Sequence, residues 1–229
     1  MEFRNLDLPE YRSIPIYEMG VGQPSDSPIV ICRYNNDTRV LGPIHRHKIF
    51  QVNYIVRGQL VHLVNHNRYS LTKGDLFVIP PYVPHQLLSP KDEPYEVVEL
   101  EFLPEEVFGP AEGAEQRLGG SRLLYDFSYI EPFFVSERNI RPRLNLSGKV
   151  QLDAEALLED MIREFQEQDD GYQLIMKADL SKLLAVAART FRTNLRDEPE
   201  MQLLNRHREA MSQTIQYIND HFDEPLTIE

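Results

Sequence analysis

The 229-residue chain contains a single cysteine, Cys32, which excludes an internal disulfide framework and fits a reducing cytosol. Cys32 lies in an apolar run at 29–34 and reads as a small buried hydrophobe rather than a nucleophile. The N-terminus, MEFRNLDLPEYRS, carries acidic residues where a secretory signal would have an apolar core. No stretch approaches the ~18–20 apolar residues of a membrane span, so a cytoplasmic protein without a membrane partner is expected. A basic stripe is missing too. Lys and Arg number 24 against 36 Asp and Glu, a formal charge of −12. The excess is uneven, 16 basic and 19 acidic residues up to 149 against 8 and 17 after it. Nucleic-acid surfaces need clustered Lys and Arg, so these residues by themselves are expected to bind DNA poorly.

What is present suits a folded chain of one to two domains, with 41% hydrophobic and 10% aromatic residues. Prolines discourage helix in the first 27 residues. Apolar, β-branched runs at 29–34, 49–56, 59–64, 76–79 and 97–102 then read as short strands. Arg57-Gly58, Asn65-His66-Asn67 and Thr72-Lys73-Gly74-Asp75 supply the turns between them. Near residue 150 the period becomes helical. Leu157, Leu158, Met161, Ile162 and Phe165 form one stripe, with Asp153 as the expected N-cap. After Asp169-Asp170-Gly171, a second helix is expected at 172–193 with Leu180, Leu183, Leu184, Ala187 and Phe191 as its stripe, and a third at 209–221. These stripes could cover the β domain, each other or a second chain. The favoured expectation is a homodimer through Leu157, Leu158, Met161, Phe165, Leu180, Leu183, Leu184 and Ala187.

Histidines mark the strand region. His45 and His47 are two apart, so a strand places them on one face, and Gln51 shares their parity. His85 follows the turn-rich Pro80-Pro81-Tyr82-Val83-Pro84 and would open another strand. Three imidazoles and one oxygen donor could hold a divalent transition metal. His62, His66, His207 and His221 are expected to be surface or hydrogen-bonded residues. The pattern His45-x-His47-x(3)-Gln51-x(6)-Gly58, then Gly74-x(5)-Pro80-x-Tyr82-x(2)-His85, resembles the two signature motifs of the cupin superfamily. The resemblance implies a small antiparallel β-barrel whose metal ligands are two His and a Glu from the first motif and a His from the second. Gln51 stands where Glu is usual, and Tyr82 where Gly is usual. Gln51 removes a negative charge and should weaken cation binding, while its amide both donates and accepts, as suits hydroxyl groups.

The residues from His47 to Gly58, Tyr69 to Pro80 and Pro84-His85 further resemble the effector-binding arm of AraC-type transcription regulators. In that family an N-terminal cupin is joined through dimerisation helices to a DNA-binding domain with two helix-turn-helix motifs. The closing segment from Ser212 to Glu229 is similar to the opening of that DNA-binding domain. Thr227-Ile228-Glu229 reads as a helix start with no helix after it, so the chain is expected to stop inside the DNA-binding domain. The implied class is α+β, a cupin-like antiparallel barrel followed by an α-helical dimerisation region. The implied division is 1–148 for effector binding, 149–198 for helical dimerisation and 199–229 for the start of the DNA-binding domain. The expected function is sensing a small effector, a sugar or sugar derivative, without catalysis. Operator DNA would be reached only through the missing C-terminal part. The candidate pocket groups are His45, His47, Gln51 and His85, with Arg33, Asn53 and Glu99 added although parity does not say which way they face. Either a zinc, nickel or iron ion sits on His45, His47, Gln51 and His85, or those groups contact effector hydroxyls directly. A third possibility is that they only bond one another. The rival function is a metal-dependent cupin enzyme, an oxygenase or sugar isomerase, using the same histidines.

Overall fold

A computed structural model describes residues 9–20, 27–65, 67–90, 93–103, 107 and 143–195, with the backbone alone at 192, 194 and 195. The third expected helix at 209–221, and the 199–229 segment as a whole, lie outside the described residues. Met1–Arg189 form one compact unit and Thr190–Glu229 a second.

Among the described residues, a short 3₁₀ turn at Pro9–Tyr11 is followed by ten strands: β1 (Ile16–Tyr17), β2 (Ile29–Asn35), β3 (Arg46–His47), β4 (Phe50–Arg57), β5 (Gln59–Val64), β6 (Asn67–Thr72), β7 (Asp75–Ile79), β8 (His85–Leu88), β9 (Glu96–Phe102) and β10 (Arg143–Asn145). Two described helices follow, α1 (Gly148–Glu167) and α2 (Tyr172–Leu195). Strands β10-β7-β4-β9-β2 form a five-stranded sheet, β6-β5-β8 a three-stranded one, and β1 pairs in parallel with β3. A single bridge between His45 and His85 ties the segment before β3 to β8. The fold is α+β, a cupin-like antiparallel barrel followed by helices, as the motifs implied.

The five apolar runs all become strands. Four of them lie in the larger sheet and are buried on both faces, which is why they do not alternate, whereas 59–64 becomes β5 of the smaller sheet, where buried and part-exposed residues alternate. One face, with Tyr34, Ile55, Phe77, Ile79 and Val97, meets Leu60, Val64, Leu71 and Leu87 of the smaller sheet in the barrel core. The other face, with Ile29, Ile31, Phe50, Val52, Tyr54, Leu100 and Phe102, is buried too, and α1 packs against β2. The polar strand β6 shows no hydrophobic run and escaped the pattern. It is held by pairing with β5 over its whole length.

Turns behave as their residues allow. Gly58 has φ +87° and Gly74 φ +88°, a region L-residues rarely adopt. Tyr82, at the position where the cupin motif has glycine, has φ +65°. The motif's glycine therefore answers a backbone demand, and here a tyrosine meets it under strain.

Two helical expectations change. The first helix begins at Gly148 with Ser147 at its N-cap position, not at Asp153, which lies inside α1 and pairs with Lys149 at 2.6 Å. The Leu146 N–H bonds Gly74 O at 2.8 Å, so the chain leaves the sheet early enough to start the helix there. The expected dimerisation stripe is also not an open face. Leu157, Leu158, Met161, Leu180, Leu183, Leu184 and Ala187 are all buried within one chain, and Phe165 is half-buried. Packing inside the monomer accounts for their spacing. Among the described residues, the large apolar side chains the helices expose are Leu152, Leu174 and Ile175. Among the described residues no helix is long and apolar enough to cross a membrane.

Candidate functional site

The chain turns between His47 and Phe50, yet His45, His47 and Gln51 still converge. The β1–β3 pairing and the His45–His85 bridge hold the histidine segment across the barrel mouth. His45, His47 and His85 each bring a ring nitrogen within 4.8 Å of the others. Tyr17 stacks on the His45 ring at 4.7 Å with planes 15° apart.

The rings are poised as lone-pair donors. His45 donates from Nδ1 to Pro43 O at 2.8 Å, and His85 from Nδ1 to Val83 O at 3.0 Å. In the neutral tautomer this leaves each Nε2 with a free lone pair. Burial lowers the pKa of His45, pushes that of His47 down to about 3, and holds that of His85 well below the usual imidazole range. A charge on a neighbouring histidine adds to the effect at His47 and His85. All three are therefore neutral at pH 7.

Gln51 sits among them. Its Nε2 donates to Glu101 Oε1 at 3.2 Å and lies 3.3 Å from His47 Nε2, while its Oε1 accepts from Asn53 Nδ2 at 3.1 Å. Oε1 is also 3.1 Å from His85 Nε2. With His85 neutral, two acceptor atoms face one another with no proton between them. A cation between them would satisfy both, so the donor set fits a divalent transition metal held by His45, His47, His85 and Gln51 Oε1. Such an ion would supply Lewis-acid polarisation of a bound oxygen.

Glu99 and Glu101 share a face of β9 with Gln51, because Glu101 is in register with Gln51 and Glu99 with Asn53. Glu99 pairs with Arg39 at 2.5 Å and accepts from Tyr34 O–H at 3.3 Å. The Arg39 guanidinium stands 4.5 Å over the Tyr34 ring. Burial and then Glu99 push the Glu101 pKa up to about 7. These groups line a cavity of about 210 Å³ together with Tyr17, Val40, Leu41, Gly42 and Leu87.

The expected site residues thus divide. His45, His47, Gln51, His85 and Glu99 line the cavity. Asn53 is fully buried beside it and orients Gln51. Arg33 is excluded. Cys32, not Arg33, is in register with Glu99, so Arg33 faces the opposite side and pairs with Glu96 and with Glu159 of α1. Sequence reasoning missed Glu101, Arg39, Tyr17 and Tyr34. Glu101 had a usable signal, the same parity as Glu99; Arg39 lies in a loop and had none. His62, expected at the surface or hydrogen-bonded, is fully buried with neither nitrogen bonded among the described residues.

The family model of the AraC-like ligand binding domain matches residues 28–184, which takes in β2 to β10, α1 and half of α2. The chain belongs to this family. Among solved structures, this AraC-like domain is similar to an RmlC-like cupin from Shewanella frigidimarina, at 26% identity over 34% of this chain and 68% of that one, with a TM-score of 0.30. A Cupin 2 conserved barrel domain protein from Salinispora arenicola is 19% identical over 34% of this chain and 66% of its own, at a TM-score of 0.31. KdgF from a Halomonas species is 23% identical over 34% and 72%, at 0.30. No curated protein matches the chain. Each structural likeness spans about a third of the AraC-like chain, so the cavity's chemistry rests on its own residues.

Proposed function

We propose that the chain is the effector-sensing part of a bacterial AraC-type transcription regulator, and that the effector is a small hydroxyl-rich molecule, a sugar or sugar derivative. The mixed lining of the cavity carries the reading. Neutral imidazoles, Gln51, Glu99 and Glu101 offer mostly acceptors, and Arg39 adds donors. Tyr17, Leu41 and Leu87 add aromatic and apolar surface among them. A sugar presents O–H groups at its rim and C–H groups on its faces, and so matches both kinds of surface. The cavity's 210 Å³ lies below the ~300–1,000 Å³ of pockets for drug-sized ligands, which favours a monosaccharide-sized guest.

On this reading the protein is a cytoplasmic sensor and not an enzyme. Effector binding shifts an equilibrium between two states, by no more than its difference in affinity for them. Operator DNA is contacted by a C-terminal helix-turn-helix domain beginning near residue 199. A homodimer forms through α1 and α2, using their exposed side rather than the buried stripes. A zinc, nickel or iron ion on His45, His47, Gln51 and His85 is the second reading of the polar lining, favoured by the facing acceptors His85 Nε2 and Gln51 Oε1.

Thermal-shift screening of the chelator-treated chain against monosaccharides, sugar acids and polyols tests the effector. A ligand at a hundred times its Kd adds about 2.7 kcal/mol of apparent stability, a readily measured rise in Tm. The rise should vanish in His45→Ala and in Glu99→Ala. A sugar that raises Tm equally in both variants binds elsewhere, and the reading fails.

A further inference from the structure

Glu101 is the carboxylate of the cavity that makes no ion pair among the described residues. Glu99 beside it is paired with Arg39 at 2.5 Å. Its two oxygens accept from neutral donors, Oε2 from the Gly20 N–H at 2.6 Å and Oε1 from Gln51 Nε2 at 3.2 Å. Register explains why it reaches Gln51, since the two residues are directly opposed on β9 and β4.

A primary amide that donates to a carboxylate must turn its nitrogen toward it. Asn53 donates to the other end, so the orientation is fixed from both sides. The consequence is chemical. Gln51 Oε1, not its N–H, faces His85 Nε2 at 3.1 Å. An ion that takes His47 Nε2 displaces only the amide's 3.3 Å contact with that ring and leaves the Glu101 bond in place. The site then holds three neutral imidazoles, one amide oxygen and, a single hydrogen bond away, the Glu101 carboxyl group, whose ionised form a nearby dication would favour.

We infer that Glu101 is the positioning residue of a divalent-metal site on His45, His47 and His85, holding the Gln51 carbonyl oxygen toward the ion and supplying the negative charge that Gln51 lacks. Hydrogen-bonded groups behind metal ligands commonly change metal affinity 10–100-fold. The arrangement moves the charge one residue outward rather than removing it. It stands apart from the effector reading, because a metal-free barrel can still bind a sugar.

Titration of the chelator-treated full chain with Co(II), whose visible absorption reports its coordination, tests this. The wild type should bind one equivalent. Glu101→Gln keeps the side chain's size and polarity, and should weaken binding roughly 10–100-fold. The charge swap, Gln51→Glu together with Glu101→Gln, should restore binding, because it returns the carboxylate to the ligand position. A merely structural role for Glu101 would not be rescued in this way. Gln51→Leu, which keeps Glu101 and the histidines, should lose affinity as Glu101→Gln does. Failure of the wild type to bind Co(II), wild-type affinity in Glu101→Gln or in Gln51→Leu, or a folded charge swap that stays weak would each overturn the inference. A sugar-induced thermal shift in the metal-free chain would persist through any of those failures.

Discussion

His62 should make the fold sensitive to mild acid, by an amount the structure sets. It lies on β5 with no exposed surface, packed 4.4 Å from the Phe77 ring and 5.6 Å from that of His85. Neither nitrogen has a hydrogen-bond partner among the described residues. Burial, and secondarily the charge on His45, push its pKa down to about 3. The folded value is thus below the unfolded one near 6.5. The fold's preference for the neutral ring leaves stability intact above pH 6.5, and stability falls as pH drops from there toward 3. At pH 5 the unfolded imidazole is favoured by about 1.5 pH units of protonation, or about 2 kcal/mol. His62→Leu fills similar space and removes both unbonded nitrogens, so it should be at least as stable as the wild type at pH 8. Its advantage should grow by about 2 kcal/mol between pH 8 and pH 5. Urea unfolding of both proteins at pH 5, 6, 7 and 8, with chelator present, measures that difference. An advantage that stays constant across the range would refute the reasoning, because it would mean His62 is hydrated or charged in the fold.

Three further outcomes follow from backbone and burial. Gly58→Ala would place a Cβ 2.3 Å from Pro94 O at φ +87°, so its urea midpoint should fall by the equivalent of more than about 2 kcal/mol. At Tyr82, with φ +65°, the usual order reverses: Tyr82→Gly should be more stable than Tyr82→Ala by about 1 kcal/mol, and equal stabilities would show that the strain is absent. Leu183→Glu buries an unpaired carboxylate where the leucine is 1% exposed, so far-UV circular dichroism should show an unfolded or aggregated protein, a loss above about 4 kcal/mol. A folded Leu183→Glu with only a halved mass in light scattering would instead mark that residue as a dimer contact.

Element type was legible in the sequence; direction was not. The runs at 29–34, 49–56 and 97–102 announced strands because little but a buried strand suits so many β-branched residues between turns. Both faces of that sheet are covered, so the runs carry no alternation to say which side meets the cavity. Arg33 and Glu99 were accordingly grouped, although they face opposite sides of the sheet. Only the pairing of Cys32 with Glu99 settles the matter, and pairing is a long-range fact. The histidine cluster was legible because spacing within a motif survives folding. Glu101 shares the parity of Glu99, but its partnership with Gln51 joins residues 50 apart and no local spacing shows it. The helical stripes were read correctly as apolar faces, but a stripe does not name what covers it, and here one chain suffices.

That two-sided burial also bears on how a filled cavity could be felt at the helices. Strand β4 carries Gln51 and Asn53 toward the cavity and Tyr54 away from it. The Tyr54 O–H donates to Glu155 Oε1 of α1 at 2.6 Å, and Gln151 of the same helix donates to that oxygen at 2.9 Å. Strand β2 repeats the design, with Tyr34 on the cavity wall and Arg33 paired to Glu159 of α1. Adjacent residues of one strand therefore touch the guest and the helix, and no loop intervenes. A close-packed sheet transmits small displacements rather than absorbing them. Any shift of β4 or β2 that a guest requires must move the outward polar contacts to α1 or break them. The connection from cavity to helix is one strand thick, and it runs through side chains whose neighbours in sequence form the cavity wall.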